Sequence, residues 1–221
     1  MIKVIKNIKV YAPEYLGEKD LVISSNKIEG IYDNLEIPEN FINIEVIDGK
    51  GKLLFPGFID NHVHINGAGG EGGFKMRTPE IKLTDLTKAG ITTVVGCIGT
   101  DGICRDMASL IAKTKALEEE GITTYCYTGS YDIPVKTLTD SIKKDIMLID
   151  KVIGIGEIAI SDNRSSQASY TELVQSIAQA RVGGILSGKS GIVNIHLGDG
   201  VRKIDDLFKL AVESKNKLLI R

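Results

Sequence analysis

Two of the chain's three histidines, His62 and His64, stand one residue apart in the run Phe58 to His64, FIDNHVH. Side chains alternate faces along a strand, so both imidazoles project to one side, and two ring nitrogens can reach one metal ion. An H-x-H pair on a polar strand has little specificity. This one ends the apolar run LLFPGFIDNHVH, at the C-terminal edge of a strand, where parallel α/β folds place their chemistry. His196, in VNIHLGD, also falls near the end of an apolar strand, and so does Glu157 in IGIGEIAIS. A lone histidine in such a place is more often a satisfied core residue. A carboxylate in so apolar a strand is costly to bury unpaired, so Glu157 should meet either a metal or the cation of a structural ion pair.

The elements that must position these residues follow from the hydrophobic rhythm. Up to about Lys52 the sequence is short, alternating and turn-rich, as in KNIKVYAP and DLVISSNKIEGIYD, which predicts a small β layer over residues 1–52. After Pro56 apolar strands alternate with loops and amphipathic helices, the pattern of repeated βα units on a parallel sheet. The repeat is visible in KAGITTVVGCIGT and EEGITTYCYTGSY, where Gly90 and Gly121 each close a helix before an Ile-Thr-Thr strand. Thr78-Pro79-Glu80 predicts the start of the first helix, with a hydroxyl cap, proline at the first helical position and an acid in the first turn. Helices are further expected around Ser141 to Lys151, Tyr170 to Val182 and Ile204 to Lys215. From Leu53, five complete strands end near Gly198 and a sixth begins at Leu218 to Arg221. A closed eight-stranded barrel typically takes about 250 residues. The expectation is therefore an open sheet on a shorter plan, or a barrel cut off at roughly five-eighths.

Composition narrows the function classes. Of 221 residues 43% are hydrophobic and 25% charged, and the formal charge of -2 suggests neither a nucleic-acid nor an anionic-membrane partner. The N-terminus MIKVIKNIKVYAPE reads as a first strand and not a signal peptide, and no segment approaches the length of a membrane helix. Cys97, Cys104 and Cys126 are odd in number with no C-x-x-C spacing, which predicts reduced thiols in a cytoplasmic protein, as buried fillers or loop residues.

Two phosphate-binding patterns compete with the metal reading. GAGGEG, Gly67 to Gly72, matches G-x-G-x-x-G, but a dinucleotide loop must open a helix directly, and here the helix is expected only at Thr78. GGILSGKS, Gly183 to Ser190, matches the Walker A pattern, which needs a strand before it and a helix after it. The order here is reversed, so it reads as a helix-to-strand loop.

Taken together, these residues resemble the amidohydrolase superfamily, and within it the isoaspartyl (β-aspartyl) dipeptidases. The resemblance runs through PGFIDNHVHINGAGGEGG, AGITTVVGCIGTD, TGSYDIP, VIGIGEIAISDNRSS, ARVGGILSGKSG and HLGDG, essentially the whole chain. H-x-H alone marks the superfamily, while Glu71 among its glycines and AISDNRS point to the family. The resemblance implies a TIM-type (β/α) barrel of about five βα units over residues 53–221, with a small β-sandwich portion before it. It implies a two-zinc site in which His62 and His64 bind one Zn2+, His196 the other, and Glu157 stands where relatives carry a carboxylated lysine. It also implies that Glu71 holds the substrate's α-ammonium, Arg164 clamps a substrate carboxylate, Gly69 and Thr100 line the pocket, and Tyr131 donates to the developing oxyanion. The family's general base, a sixth-strand histidine ligand and a further arginine are expected past Arg221. The implied activity is hydrolysis of β-aspartyl dipeptides by a large homo-oligomer. The alternatives are a cyclic-amide hydrolase of the same superfamily, or a truncated, inactive relative that binds metal weakly or serves as a partner subunit.

Overall fold

A computed structural model describes residues 2–38 and 43–214 of the protein. The chain divides into two compact units, Met1–Gly57 and Phe58–Arg221.

The first unit is a sheet in which β1 (Ile2–Tyr11) pairs antiparallel with β2 (Tyr15–Ser24), which pairs antiparallel with β3 (Lys27–Tyr32). On its other side β1 pairs in parallel with β4 (Ile44–Asp48) and, further along, with β5 (Leu53–Leu54). Alternation buries Val4, Ile8, Val10 and Leu21. Leu53 and Leu54, which the sequence pattern assigned to the first barrel strand, thus belong to the N-terminal sheet. Pro56, which has no N–H to offer a ladder, and Gly57 separate them from the next strand.

The second unit repeats strand and helix: β6 (Phe58–Val63), α1 (Leu83–Lys88), β7 (Ile91–Gly96), α2 (Met107–Glu119), β8 (Thr123–Thr128), α3 (Ile142–Leu148), β9 (Val152–Ile160), α4 (Tyr170–Ser187), β10 (Ile192–Leu197) and α5 (Asp205–Glu213). The five strands are parallel and lie in sequential order, the arrangement of a curled half-barrel. Alternation sorts the side chains of β7 and β8 between two clusters: Val94 and Cys126 pack with Leu110, Ile146 and Leu173 of the helices, whereas Val95, Cys97 and Tyr127 form a separate cluster with Tyr125, Ile153 and Ile192. Along β9, whose register shifts against both neighbours, Ile155 and Ile158 both join the first cluster. Gly90 and Gly121 end α1 and α2 with φ of 74° and 112°, a region L side chains rarely adopt.

Thr78 does not cap a helix; α1 begins at Leu83. The Thr78 hydroxyl accepts from the Ala68 amide at 2.7 Å, the Thr78 amide donates to the Ala68 carbonyl at 2.9 Å, and Ile81 N–H donates to the Ile65 carbonyl at 3.1 Å. Residues 78–81 are thereby held beside the glycine loop, and the capping group is spent there. GGILSGKS lies at the end of α4, where Gly188 is a left-handed cap (φ 69°) and Lys189 turns inward to donate to the carbonyls of Ile146, Ile149 and Val152 at 2.7, 2.6 and 3.0 Å. The sixth strand expected at Leu218 to Arg221 falls outside the described residues.

Candidate metal centre

Glu157 is on β9 with its side chain only 2% exposed. Its Oε2 lies 3.1 Å from His62 Nε2 and 3.5 Å from His64 Nε2, and its Oε1 lies 2.8 Å from His196 Nδ1. His62 is on β6, which the strand order places three positions from β9. In a flat sheet three strand spacings would be about 14 Å, so a 3.1 Å contact requires the sheet to curl with these side chains on its concave face.

The donor set fits a divalent cation. His64 Nδ1 faces the Cys97 carbonyl at 3.3 Å, a contact that favours the Nδ1–H tautomer and turns the Nε2 lone pair towards Glu157. Glu157 Oε2 is buried and receives no hydrogen bond of acceptable direction, although it is within ion-pair distance of His62. A buried carboxylate oxygen left without a donor while facing two imidazole nitrogens is what a cation among them would satisfy. The electrostatics agree. Burial pushes the Glu157 carboxyl up, but His62, His64 and His196 together hold it below its ordinary value. The close carboxylate of Glu157 raises His62, and burial lowers His64, which favours the neutral, ligating form of that ring.

Cys97, on no sequence-based list of ligands, joins this group: donor atoms of His62, His64, Cys97 and Glu157 all lie within 4.8 Å of one another. Its Sγ is 3.7 Å from His64 Nδ1, and burial pushes the thiol far above its usual range, so it stands there as a neutral thiol. Its position at the end of β7, beside the end of β6 that carries the histidine pair, is the only sequence signal it gives.

From His196 a second chain of contacts leads outward. His196 Nε2 is 2.9 Å from Asp162 Oδ2, and the Tyr131 hydroxyl is 3.2 Å from His196 Nδ1. Asp162, also unforeseen, takes a two-pronged contact from Arg164, with Nε to Oδ1 at 2.9 Å and Nη2 to Oδ2 at 2.6 Å. That guanidinium holds the Asp162 carboxyl well below the usual carboxylate range. Arg164 Nη1 then reaches Glu71 Oε1 at 3.1 Å, and the same oxygen accepts from Thr100 Oγ1 at 2.7 Å. Burial and the nearby Glu157 charge push the Tyr131 hydroxyl up, which keeps it a donor.

The loop carrying Glu71 is built for close approach. At Gly69, φ is 71° and a Cβ would lie 2.5 Å from the Met76 carbonyl oxygen. Buried Arg105 ties the loop down through the carbonyls of Asn66, Ala68 and Thr78 at 3.2, 2.9 and 3.2 Å. A small pocket of about 50 Å³ is lined by His64, Gly69, Glu71, Thr100 and Tyr131 among others. All nine residues singled out from the sequence thus lie at one rim, linked through Glu157, His196 and Arg164 on one side and through this pocket on the other.

No protein-family model matches the chain. The β-aspartyl dipeptidase of Fervidobacterium islandicum AW-1 superposes with a TM-score of 0.93 at 53% identity, over 96% of this chain and 58% of that one. A structure of that enzyme in complex with β-Asp-Leu dipeptide gives 0.90 at 54% identity, over 95% of this chain and 55% of that one. A D-hydantoinase superposes with 0.60 at 25% identity, over 98% of this chain and 44% of that one. A dihydroorotase from Staphylococcus epidermidis is 37% identical over 93 residues, 42% of this chain and 21% of the relative. The chain therefore spans little more than half the length of the dipeptidase structures and about a fifth of that dihydroorotase. The curled parallel sheet is shared with barrel hydrolases of the amidohydrolase type, to which the chain is similar over nearly its whole length. Within that class it is a relative of the β-aspartyl dipeptidases.

Proposed function

We propose that these residues serve the zinc-dependent hydrolysis of the β-aspartyl peptide bond in dipeptides, in a cytoplasmic homo-oligomer. The observation that carries the reading is Glu157, a buried carboxylate whose two oxygens face different imidazoles, His62 and His64 on one side and His196 on the other. Imidazole and carboxylate donors suit Zn2+, and a carboxylate offering both oxygens suits two ions. His62 and His64 would hold one, His196 the other, and Glu157 would touch both. When bound, such ions supply Lewis acidity and lower the pKa of water enough to give a nucleophile near neutral pH.

The chain's own residues do the rest. A β-aspartyl residue presents an α-ammonium and an α-carboxylate beside its scissile amide, so its binding needs one anion and one cation close together. Glu71 and Arg164 are such a pair, and on binding each exchanges its partner for the substrate's opposite charge. Tyr131, held protonated, donates to the carbonyl oxygen as it gains charge. Asp162 keeps Arg164 and His196 in register from behind. Addition of water to the carbonyl carbon and cleavage of the C–N bond then release aspartate and the second amino acid, whose nitrogen takes a proton.

The test is turnover by the zinc-loaded protein of β-Asp-Leu, α-Asp-Leu and a hydantoin. Cleavage of β-Asp-Leu alone is expected. Ring opening of the hydantoin without cleavage of the peptide would instead assign the protein to the cyclic-amide hydrolases that it also resembles.

A further inference from the structure

One buried carboxylate closes the base of the loop that carries Tyr131. Asp145, in the first turn of α3, is fully buried. Its Oδ2 accepts from the Thr128 hydroxyl at 2.5 Å and the Leu138 amide at 2.9 Å, and its Oδ1 accepts from the Thr139 amide at 2.9 Å and the Thr139 hydroxyl at 2.6 Å. Thr128 ends β8, and Leu138 and Thr139 lie just before α3, so the four bonds tie together both ends of the stretch 129–137. Within that stretch the Tyr131 carbonyl accepts from the Ala159 amide at 3.1 Å, and the Ile133 amide donates to Ser166 Oγ at 2.9 Å.

These contacts need a carboxylate and not merely a polar side chain. The two backbone amides can only donate, and they approach opposite oxygens of Asp145. An asparagine offers one acceptor and one NH2 group, so in either orientation the NH2 would face a backbone N–H. A buried carboxylate is costly unless its lone pairs are taken up, and here four neutral donors take them up. What the four bonds hold in common is the loop. That loop delivers Tyr131 to the metal centre, with its hydroxyl 3.2 Å from His196 Nδ1.

We propose that Asp145 is a positioning residue for the hydrolysis, which by closing this loop sets the Tyr131 hydroxyl where charge develops on the carbonyl oxygen. This rests on the dipeptidase reading, in which Tyr131 donates to that oxygen, and adds to it the group that places the donor. The Tyr131 bond strengthens as the transition state forms, whereas substrate is held by Glu71 and Arg164. A displaced loop therefore lowers kcat and leaves KM unchanged.

A double-mutant cycle on β-Asp-Leu tests it, with the zinc-loaded wild type, Asp145→Asn, Tyr131→Phe and the double variant. Asp145→Asn is expected to lower kcat about 10- to 100-fold, with KM and zinc content unchanged. In the Tyr131→Phe background the same substitution should change kcat by less than about twofold, because the hydroxyl it would misplace is gone. A merely structural defect would cost the same factor in both backgrounds. Should Asp145→Asn fail to fold, Thr139→Val removes one donor from a half-buried position, and the same cycle should show a smaller loss, about fivefold, that again vanishes without the Tyr131 hydroxyl. Hydrolysis by the wild type with equal losses in both backgrounds, a rise in KM alone, or no loss of kcat overturns the positioning role and leaves the dipeptidase reading standing. Failure of the wild type to hydrolyse β-Asp-Leu overturns both.

Discussion

Glu71 Oε1 and Arg164 Nη1 meet at 3.1 Å although 93 residues separate them in the chain. Each is the charge a zwitterionic ligand would need, and each contacts the other. On the proposed reading, substrate would displace this ion pair. Glu71→Gln and Arg164→Lys should each raise KM for β-Asp-Leu by about 10- to 100-fold, since each loses a charge-assisted contact that lysine cannot restore at a forked site. Steady-state kinetics would show this, and an unchanged KM in both variants would remove these residues from substrate binding.

Close packing around His64 predicts an effect on metal without any change of ligand. A Cβ on Gly99 would stand 2.9 Å from His64 Cε1, so Gly99→Ala must push the ring aside. Zinc affinity, measured by competition with a chromophoric chelator, should fall about tenfold while the circular dichroism spectrum stays the same.

The depressed carboxyl of Asp162 has a pH consequence with a definite sign. Its folded pKa lies below its unfolded one, chiefly through the side-chain hydrogen bond from Arg164. The unfolded state then binds the proton more readily, so the stabilisation is fully present above the unfolded value of about 3.9 and is lost as pH falls below it. The Tm difference between wild type and Asp162→Asn should accordingly be greatest near neutral pH and shrink as the solution is acidified below about pH 4.

Lys189 carries a prediction that separates motif from role. Its ammonium donates to three carbonyls along the passage from α3 into β9, and burial lowers its pKa. Lys189→Met leaves those acceptors without this donor and should lower stability by about 2 kcal/mol in urea titration. Nucleotide should bind neither form.

Much of this arrangement was legible in the sequence because it follows from periodicity. Strand alternation put His62 and His64 on one face, and the rule that parallel strands expose chemistry at their C-terminal ends brought Glu157 and His196 to the same rim. Gly90 and Gly121 announced the ends of two helices through backbone conformation alone. What escaped was set by contacts between elements. Thr78 carried a sound local capping signal, yet its hydroxyl and amide were claimed by Ala68 in the glycine loop. Asp162 stood in plain view in SDNRSS, but its role is to grip Arg164 and His196, and a sequence does not show which side chains another will hold. Cys97 was expected as a buried filler and is fully buried; only the pairing of β6 with β7 reveals that its sulfur lies against His64.

The central claim is that His62, His64, His196 and Glu157 gather around divalent cations. Metal analysis of the purified wild type beside His62→Ala and Glu157→Ala tests it most directly. Bound zinc in the wild type and its loss from both variants, each still folded, is the predicted result. Full metal occupancy in His62→Ala, or a wild type that takes up no zinc from a metal-replete buffer, would contradict it.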